Sequence, residues 1–185
     1  WYARQLNRRA QIWRLSDHEL DTIPGWFEHQ APVAFKHGAI DATIPPGYLS
    51  RDQLLVLLAI KDSFPNRPIY FSMGPYPEQL GLAGYVKRVG LLNKLEPNPI
   101  KESPDTVRLP SGFVDVSKSL ELWKRYQGPG QVRREGRWPD APSTNIPLYY
   151  ALVAQALANA LPARGDTLGA NAMYEQAKSM VEVLR

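Results

Sequence analysis

The hydrophobic pattern is densest between residues 50 and 97, where it first predicts a helix. Ser50 is a favourable N-cap, and Gln53 stands at the position that completes a capping box, so we expect the helix to begin at Arg51. Residues 54–60 are all apolar. A helix without a clean polar face is expected to be buried on most sides, so this pattern predicts a core helix.

Two prolines predict where this helix ends. Pro65 and Pro68 each lack the N–H that would continue a helix, and each disfavours helical geometry in the residue before it. Residues 69–73 then read IYFSM, a short run rich in β-branched and aromatic side chains between Pro and Gly. Such a run is typical of a strand buried on both faces.

The chain before this segment shows weaker patterns. Residues 1–12 have helical spacing, and residues 17–20 open a helical turn that Pro24 and Gly25 interrupt. Residues 33–44 predict two short strands, followed by an extended exit over residues 44–47.

The chain after it alternates between irregular and helical patterns. Residues 98–112 are polar and proline-rich, which predicts a loop. Asp115 or Ser117 is expected to cap a helix over residues 118–126. Residues 127–145 are rich in Gly, Pro and Arg and are longer than a usual loop, which favours a mobile or functional segment.

An alanine-rich pattern begins at residue 146 and predicts two helices joined at residues 162–166. The small and large residues of this pair fit one tetratricopeptide-like unit at Leu157, Ala158, Ala170, Tyr174 and Ala177. A single such unit cannot bury its own apolar face, so we expect it to dock on the rest of the chain, on further repeats or on a partner.

Together these patterns predict an α/β or α+β fold, with a small mixed sheet flanked by helices and a C-terminal tetratricopeptide-like helical hairpin. The predicted organisation is a mixed α/β core domain over residues 1–126, a basic Gly/Pro-rich loop over 127–145 and the hairpin over 146–185.

Composition narrows the function classes. The 185 residues carry a formal net charge of +4 and include no cysteine, which excludes disulfides and thiolate metal sites. Aromatic and arginine residues do not alternate along one strand, so nucleic acid is not an expected partner.

The longest unbroken apolar run has seven residues, short of the ~20 that a membrane helix needs, so no bilayer span is expected. Because the chain begins at Trp1 and has no initiator methionine, we expect a fragment, a processed product or only the ordered part of a longer protein.

Two segments resemble a known family. They are WYARQLNRR at residues 1–9 and NRPIYFSMGPYPEQLGLAGYVKRVGLLNKLEP at residues 66–97. The matching residues are Trp1, Tyr2, Arg4, Gln5, Leu6, Arg67, Pro68, Ile69, Tyr70, Phe71, Gly81, Leu82, Tyr85, Gly90, Leu95 and Pro97. The first hundred residues or so resemble the soluble C-terminal region of the protein O-mannosyltransferase-like multi-spanning membrane glycosyltransferases, a family that includes transmembrane protein 260 of animals. This resemblance implies an extracytoplasmic, membrane-associated domain that ends in tetratricopeptide-like helices.

No residue of this chain is predicted to be catalytic, to bind a cofactor or to bind a metal. The glycines between residues 81 and 90 lack the spacing of a nucleotide-binding loop. His18, His29 and His37 have no second ligand at helical spacing. In the resembled family the catalytic carboxylate is expected in the membrane block, which this sequence does not contain, so the resemblance transfers no catalytic role.

The candidate partner-contact residues lie in the second half of the chain and are Arg133, Arg134, Arg137, Trp138, Tyr149 and Tyr174. Three arginines beside an anionic bilayer would contribute roughly 3 kcal/mol, enough to orient a tethered domain but not to hold it on a membrane. A solvated basic loop is the alternative interpretation of the arginines. For Tyr149 and its neighbour Tyr150, anchoring in the core is the alternative to contact with a ligand.

These observations favour a non-catalytic, periplasmic interaction or scaffold domain that docks on a membrane-embedded protein partner or complex. The alternative is an acceptor-selecting accessory domain of a complete lipid-linked-sugar-dependent membrane glycosyltransferase. A glycan-binding module that uses Trp13, Trp26 and Trp138 is a third hypothesis, and it rests on aromatic content alone.

Overall fold

The predicted mixed α/β class is confirmed in the computed structural model, which describes residues 5, 9–10, 13–72, 74–126 and 145–182. The helices of these residues are α1 Asp17–Thr22, α2 Arg51–Ser63, α3 Tyr76–Gln79, α4 Val116–Trp123, α5 Asn145–Ala160 and α6 Thr167–Glu182. The strands are β1 Trp26–His29, β2 Val33–His37, β3 Ile40–Ile44, β4 Gly47–Ser50, β5 Tyr70–Phe71, β6 Val86–Val89, β7 Leu92–Leu95, β8 Thr106–Leu109 and β9 Gly112–Asp115. Most of the helix predicted over residues 1–12 lies outside the described residues.

The chain divides into two compact units. The first comprises Trp1–Tyr85 with Leu95–Pro99, and the second comprises Val86–Lys94 with Ile100–Arg185. The division therefore falls at a different place from the predicted segments 1–126 and 146–185, because strands β6, β8 and β9 group with the C-terminal helices.

The first unit contains two antiparallel strand pairs and, further along the chain, the short strand β5. β1 pairs with β4, and the β2–β3 hairpin lies between them in sequence. β3 alternates strictly, with Ile40, Ala42 and Ile44 buried and the residues between them exposed. This confirms the two strands predicted within residues 33–44.

Helix α2 begins at Arg51, as predicted, with the Ser50–Gln53 capping box in place. The prediction that it is buried on most sides is wrong. Only Gln53, Leu57 and Ile60 are buried, at the spacing of a single helix face. The other apolar residues of the helix stay half-buried because the first unit covers α2 from one side.

The strand predicted over residues 69–73 is shorter and less buried than expected. β5 contains only Tyr70 and Phe71, and Tyr70 is 47% exposed whereas Phe71 is buried. The amide of Leu95 donates to the carbonyl of Ile69 at 3.0 Å and supports this edge. The strand is therefore covered on one face only.

A tight turn in the first unit depends on Gly81. Its φ of +68° is in the left-handed region, and a Cβ atom there would collide with the Thr43 carbonyl oxygen of β3. Close packing of two backbone segments therefore explains why glycine stands at position 81.

Four strands of the second unit lie side by side in the order β7-β6-β9-β8. β6 runs parallel to β9, and β8 runs antiparallel to β9. The loop predicted over residues 98–112 is therefore wrong in its second half, which contains β8 and the turn into β9. The prolines that suggested a loop flank these strands rather than interrupt them.

Helix α4 packs beside this sheet and begins at Val116, slightly earlier than predicted. Asp115 is its N-cap: the carboxylate accepts from the Lys118 amide at 3.0 Å and forms an ion pair with Lys87 of β6, also at 3.0 Å. The hydroxyl of the fully buried Ser119 accepts from the Gly90 amide at 2.9 Å. These contacts fix α4 against the turn between β6 and β7.

Helices α5 and α6 form the predicted C-terminal helical pair, joined by a 3₁₀ turn at Leu161–Arg164. Ala158, Ala170 and Ala177 are buried, which agrees with small residues allowing close approach of the helices. The tetratricopeptide-like detail of the pair stays a prediction.

One stretch of the described residues, Asn145–Arg164, has the length and apolar character of a membrane span, with a mean hydropathy of 1.2. Half of it is buried inside the protein. A core helix has the same properties, and α5 contacts α6, α4, β8 and β9 within the second unit.

Candidate interaction groove on the helical pair

The helical pair carries an open apolar groove of about 360 Å³ on its surface. We call this the hairpin groove, and it is lined by Leu148, Ala151, Leu152, Gln155, Tyr174, Ala177, Lys178, Val181 and Glu182. Its large apolar side chains are well exposed: Leu148 by 40%, Leu152 by 43%, Tyr174 by 52% and Val181 by 41%. Isolated exposed leucines are common, but a contiguous apolar patch with a polar rim is typical of an interaction site.

Helical periodicity explains how both helices contribute to the groove. Leu148 and Leu152 are related as i and i+4 on α5, and Tyr174 and Lys178 are related in the same way on α6. The residues at the base, Ala151 and Ala177, are buried and small, so the two rows of larger side chains stand above a shallow floor.

The opposite side of the same helical pair belongs to the core. Val153 and Leu157 of α5 and Met173 of α6 are buried in a cluster that includes Val114 and Val116. Helix α5 is therefore apolar on two sides, one facing the core and one facing the groove.

Polar and aromatic contacts hold the pair in position. The ring of Tyr150 packs against the rings of Trp123 and Tyr126, with centroids 6.0 Å and 5.8 Å away. Burial among these rings raises the pKa of the Tyr150 hydroxyl. The Trp123 indole N–H donates to the Gln176 side-chain oxygen of α6 at 2.7 Å.

The connector between the helices is tied down as well. The Arg164 guanidinium lies 3.3 Å from the Asp105 carboxylate and donates to the Ser117 hydroxyl at 3.1 Å. Ser117 in turn donates to Asp105 at 2.7 Å. These contacts hold the helical pair, and with it the groove, in place on the second unit.

Only part of the predicted contact set lies in the groove. Tyr174 lines it, whereas Tyr149 is exposed on α5 but does not line it, so the anchoring alternative for Tyr149 is wrong. The same anchoring was predicted for its neighbour Tyr150, whose ring packs against the rings of Trp123 and Tyr126. Arg133, Arg134, Arg137 and Trp138 lie outside the described residues.

Sequence reasoning missed Leu148, Leu152 and Val181. The i, i+4 spacing of the two leucines was available as a signal, but residues 146–158 of α5 are largely apolar all round. Because residues on both sides of the helix are hydrophobic, the pattern could not distinguish the buried side from the exposed one.

The groove offers binding rather than acid–base chemistry. Its charged side chains are Lys178 and Glu182, related as i and i+4 on α6 at the rim. In the described part of the chain, no group of three or more His, Asp or Glu residues is arranged to hold a metal ion. Two of the histidines contact backbone carbonyls: His29 contacts that of Ala31 at 2.9 Å, and His37 contacts that of Phe64 at 2.5 Å.

Comparisons with family models, with curated proteins and with solved structures find no match to this chain.

Proposed function

We propose that this chain is a non-catalytic interaction domain that docks on a membrane-embedded protein partner through the hairpin groove. The observation that carries the proposal is the two-helix apolar groove whose leucine, tyrosine and valine side chains are left 40–52% exposed. Contiguous apolar side chains on a supported helical surface favour burial against another protein.

The occupant of the groove is a helix of the partner with one apolar face. Two antiparallel helices present rows of side chains at i, i+4 spacing, and ridges-into-grooves packing places a third helix between such rows. An occupying helix needs apolar side chains at i, i+3 or i+4, and i+7 to meet the leucines of α5 and Tyr174 of α6. Lys178 and Glu182 at the rim would pair with charged residues that flank this apolar face.

The extracytoplasmic, periplasmic setting rests on the resemblance to the membrane glycosyltransferases. The same resemblance supports the alternative function, in which this domain selects protein acceptors for a complete glycosyltransferase. In that case the groove would receive a helix of the enzyme's own membrane block. Gene sequence upstream of Trp1 separates the two: many predicted transmembrane helices favour the enzyme, and none or one favours a recruited subunit.

Site-specific photo-cross-linking tests the proposal. A photoreactive amino acid at position 152 should cross-link to a helix of an integral membrane protein in native membranes, and mass spectrometry identifies that helix. The control position is Leu168, which is 82% exposed on α6 but does not line the groove.

A charge substitution provides the second measurement. Leu152→Glu should abolish the cross-link formed from a photoreactive residue at position 148, whereas Leu168→Glu should leave it unchanged. The proposal is refuted if the domain is recovered without a membrane-protein cross-link, or if both positions cross-link equally. A cross-link to a second copy of this chain would also refute the proposal, because it would show that the groove is a homodimer interface and not a docking site for a membrane protein.

A further inference from the structure

A cavity of about 460 Å³ opens in the first unit, separate from the hairpin groove and lined by other residues. Its volume lies within the ~300–1,000 Å³ that small-molecule sites span in proteins. Five buried apolar side chains form its floor: Ile23, Phe35, Ile44, Leu49 and Leu57. They come from the segment after α1, from strands β2, β3 and β4, and from helix α2.

Polar groups reach this cavity from three lining residues. The Glu19 carboxylate accepts from the Ser16 amide and the Ser16 hydroxyl, both at 2.7 Å, and these bonds hold the pKa of Glu19 below its usual value. The Thr22 hydroxyl donates to the Glu19 carbonyl at 3.0 Å. Both residues are therefore engaged in the capping and first turns of α1.

Lys61 is different from these two. Its ammonium lies 5.7 Å from the centre of the Phe35 ring, and no carboxylate in the described part of the chain forms an ion pair with it. A cation over an aromatic face at the border of an apolar cavity can still accept an anion, since the ring contact leaves the ammonium open to solvent on its other side. Lys61 is exposed, in agreement with such access.

We propose that this cavity binds an amphiphile made of one unbranched aliphatic chain with an anionic head, the chain lying on the apolar floor and the head beside Lys61. The cavity holds about 15 non-hydrogen atoms at the ~30 Å³ that a water-sized atom occupies. A medium-length chain therefore fits. The head is placed at Lys61 because the Glu19 carboxylate, already charged, would repel it from the α1 side.

Isothermal titration calorimetry with saturated fatty acids, below their critical micelle concentrations, tests the proposal. Affinity should rise about fourfold for each added methylene and level off near a chain of about 12 to 15 carbons, when the cavity is full. Dodecanoate should bind at least tenfold more tightly than dodecyltrimethylammonium. Dodecyl phosphate compared with dodecanoate then shows whether a phosphate or a carboxylate is the preferred head.

Three variants complete the design. Lys61→Met keeps the aliphatic stem and should weaken dodecanoate about tenfold or more without changing dodecanol. Lys36→Met is the matched control, because Lys36 is paired with Asp41 at 3.1 Å and does not line the cavity. Ala34→Trp, at an exposed position that lines the cavity, should block every chain while preserving the circular dichroism spectrum.

The proposal is overturned if folded protein binds no member of the series, if affinity is independent of chain length, or if Ala34→Trp binds dodecanoate as the parent does. Equal binding of anionic and cationic amphiphiles would also overturn it. None of these results depends on the hairpin groove, so the two proposals fail independently.

Discussion

Helix α5 allows a sharp test of which face belongs to the core, through two leucines on different sides. Leu157 is fully buried with Val153 and Val114, whereas Leu152 is 43% exposed in the hairpin groove. Leu157→Ala removes a side chain whose neighbours can close the gap only in part. It should lower the free energy of unfolding of the second unit by about 3–4 kcal/mol.

Leu152→Ala should cost about 1 kcal/mol or less. Full burial of a leucine contributes about 1.5–3 kcal/mol, and Leu152 is only partly covered. Alanine also has the higher helix propensity, which offsets part of the loss. Both variants make the same Leu→Ala change within one helix, so the change in helix propensity cancels when their free energies of unfolding are compared.

Urea denaturation followed by circular dichroism at the helical band measures both variants. In a variant whose other four tryptophans are replaced by phenylalanine, Trp123 fluorescence offers a local probe, since its indole contacts Tyr150 of α5 and Gln176 of α6. Equal losses for the two variants, or a larger loss for Leu152→Ala, would refute the assignment of the groove face and remove the basis of the docking proposal.

Three further predictions concern the first unit. Gly81→Ala should destabilise it by more than 2 kcal/mol, because left-handed geometry and a collision with the Thr43 carbonyl act together, and thermal melting should show this. Gly38→Ala is the control: Gly38 has a φ of +59°, but a Cβ atom there would have no neighbouring heavy atom within 4 Å, so the variant should lower the free energy of unfolding by about 1 kcal/mol. Hydrogen bonds from the Ser50 and Tyr76 hydroxyls lower the pKa of the Asp52 carboxyl, so Tyr76→Phe should raise that pKa. An NMR titration of the Asp52 carboxyl measures the change, and an unchanged pKa would show that the Tyr76 contact is absent. Because the pKa of Asp52 is lowered in the folded state, this carboxyl contributes stability above its unfolded pKa of about 3.9 and loses it as pH falls through its folded pKa. Tyr76→Phe should therefore be less stable than the parent at pH 7, and the difference should shrink as pH falls below the unfolded pKa.

Short-range signals in the sequence predicted where helices α2 and α4 begin. The capping box of Ser50 and Gln53 and the N-cap Asp115 are short-range hydrogen-bonding patterns, and the helices begin where these residues place them or within a few residues. The two strands predicted around Lys36, His37 and Gly38 are present as β2 and β3, and the structure adds that buried and exposed side chains alternate along β3.

Burial could not be predicted in the same way, because it depends on which elements meet. The apolar run of α2 suggested cover on most sides, yet Leu54 and Leu58 line a cavity and remain half-buried. β8 was missed since its residues Thr106 and Arg108 are polar, and only pairing with β9 makes the segment a strand.

The two candidate sites arise from one physical cause. In both units a helix carries more apolar surface than its neighbours cover: α2 leaves Leu54 and Leu58 beside the cavity, and α5 leaves Leu148 and Leu152 in the groove. Their proposed occupants differ because different side chains line them. The cavity has a floor of buried side chains beside Lys61, which forms no ion pair within the described residues, and this lining suits an anionic amphiphile. The groove lies between two helices and is lined by exposed apolar side chains. The two depressions are similar in volume and in how open they are to solvent, so the choice of occupant rests on the side chains that line them. Exposed apolar side chains at i, i+4 spacing on two adjacent helices favour another helix as the occupant of the groove.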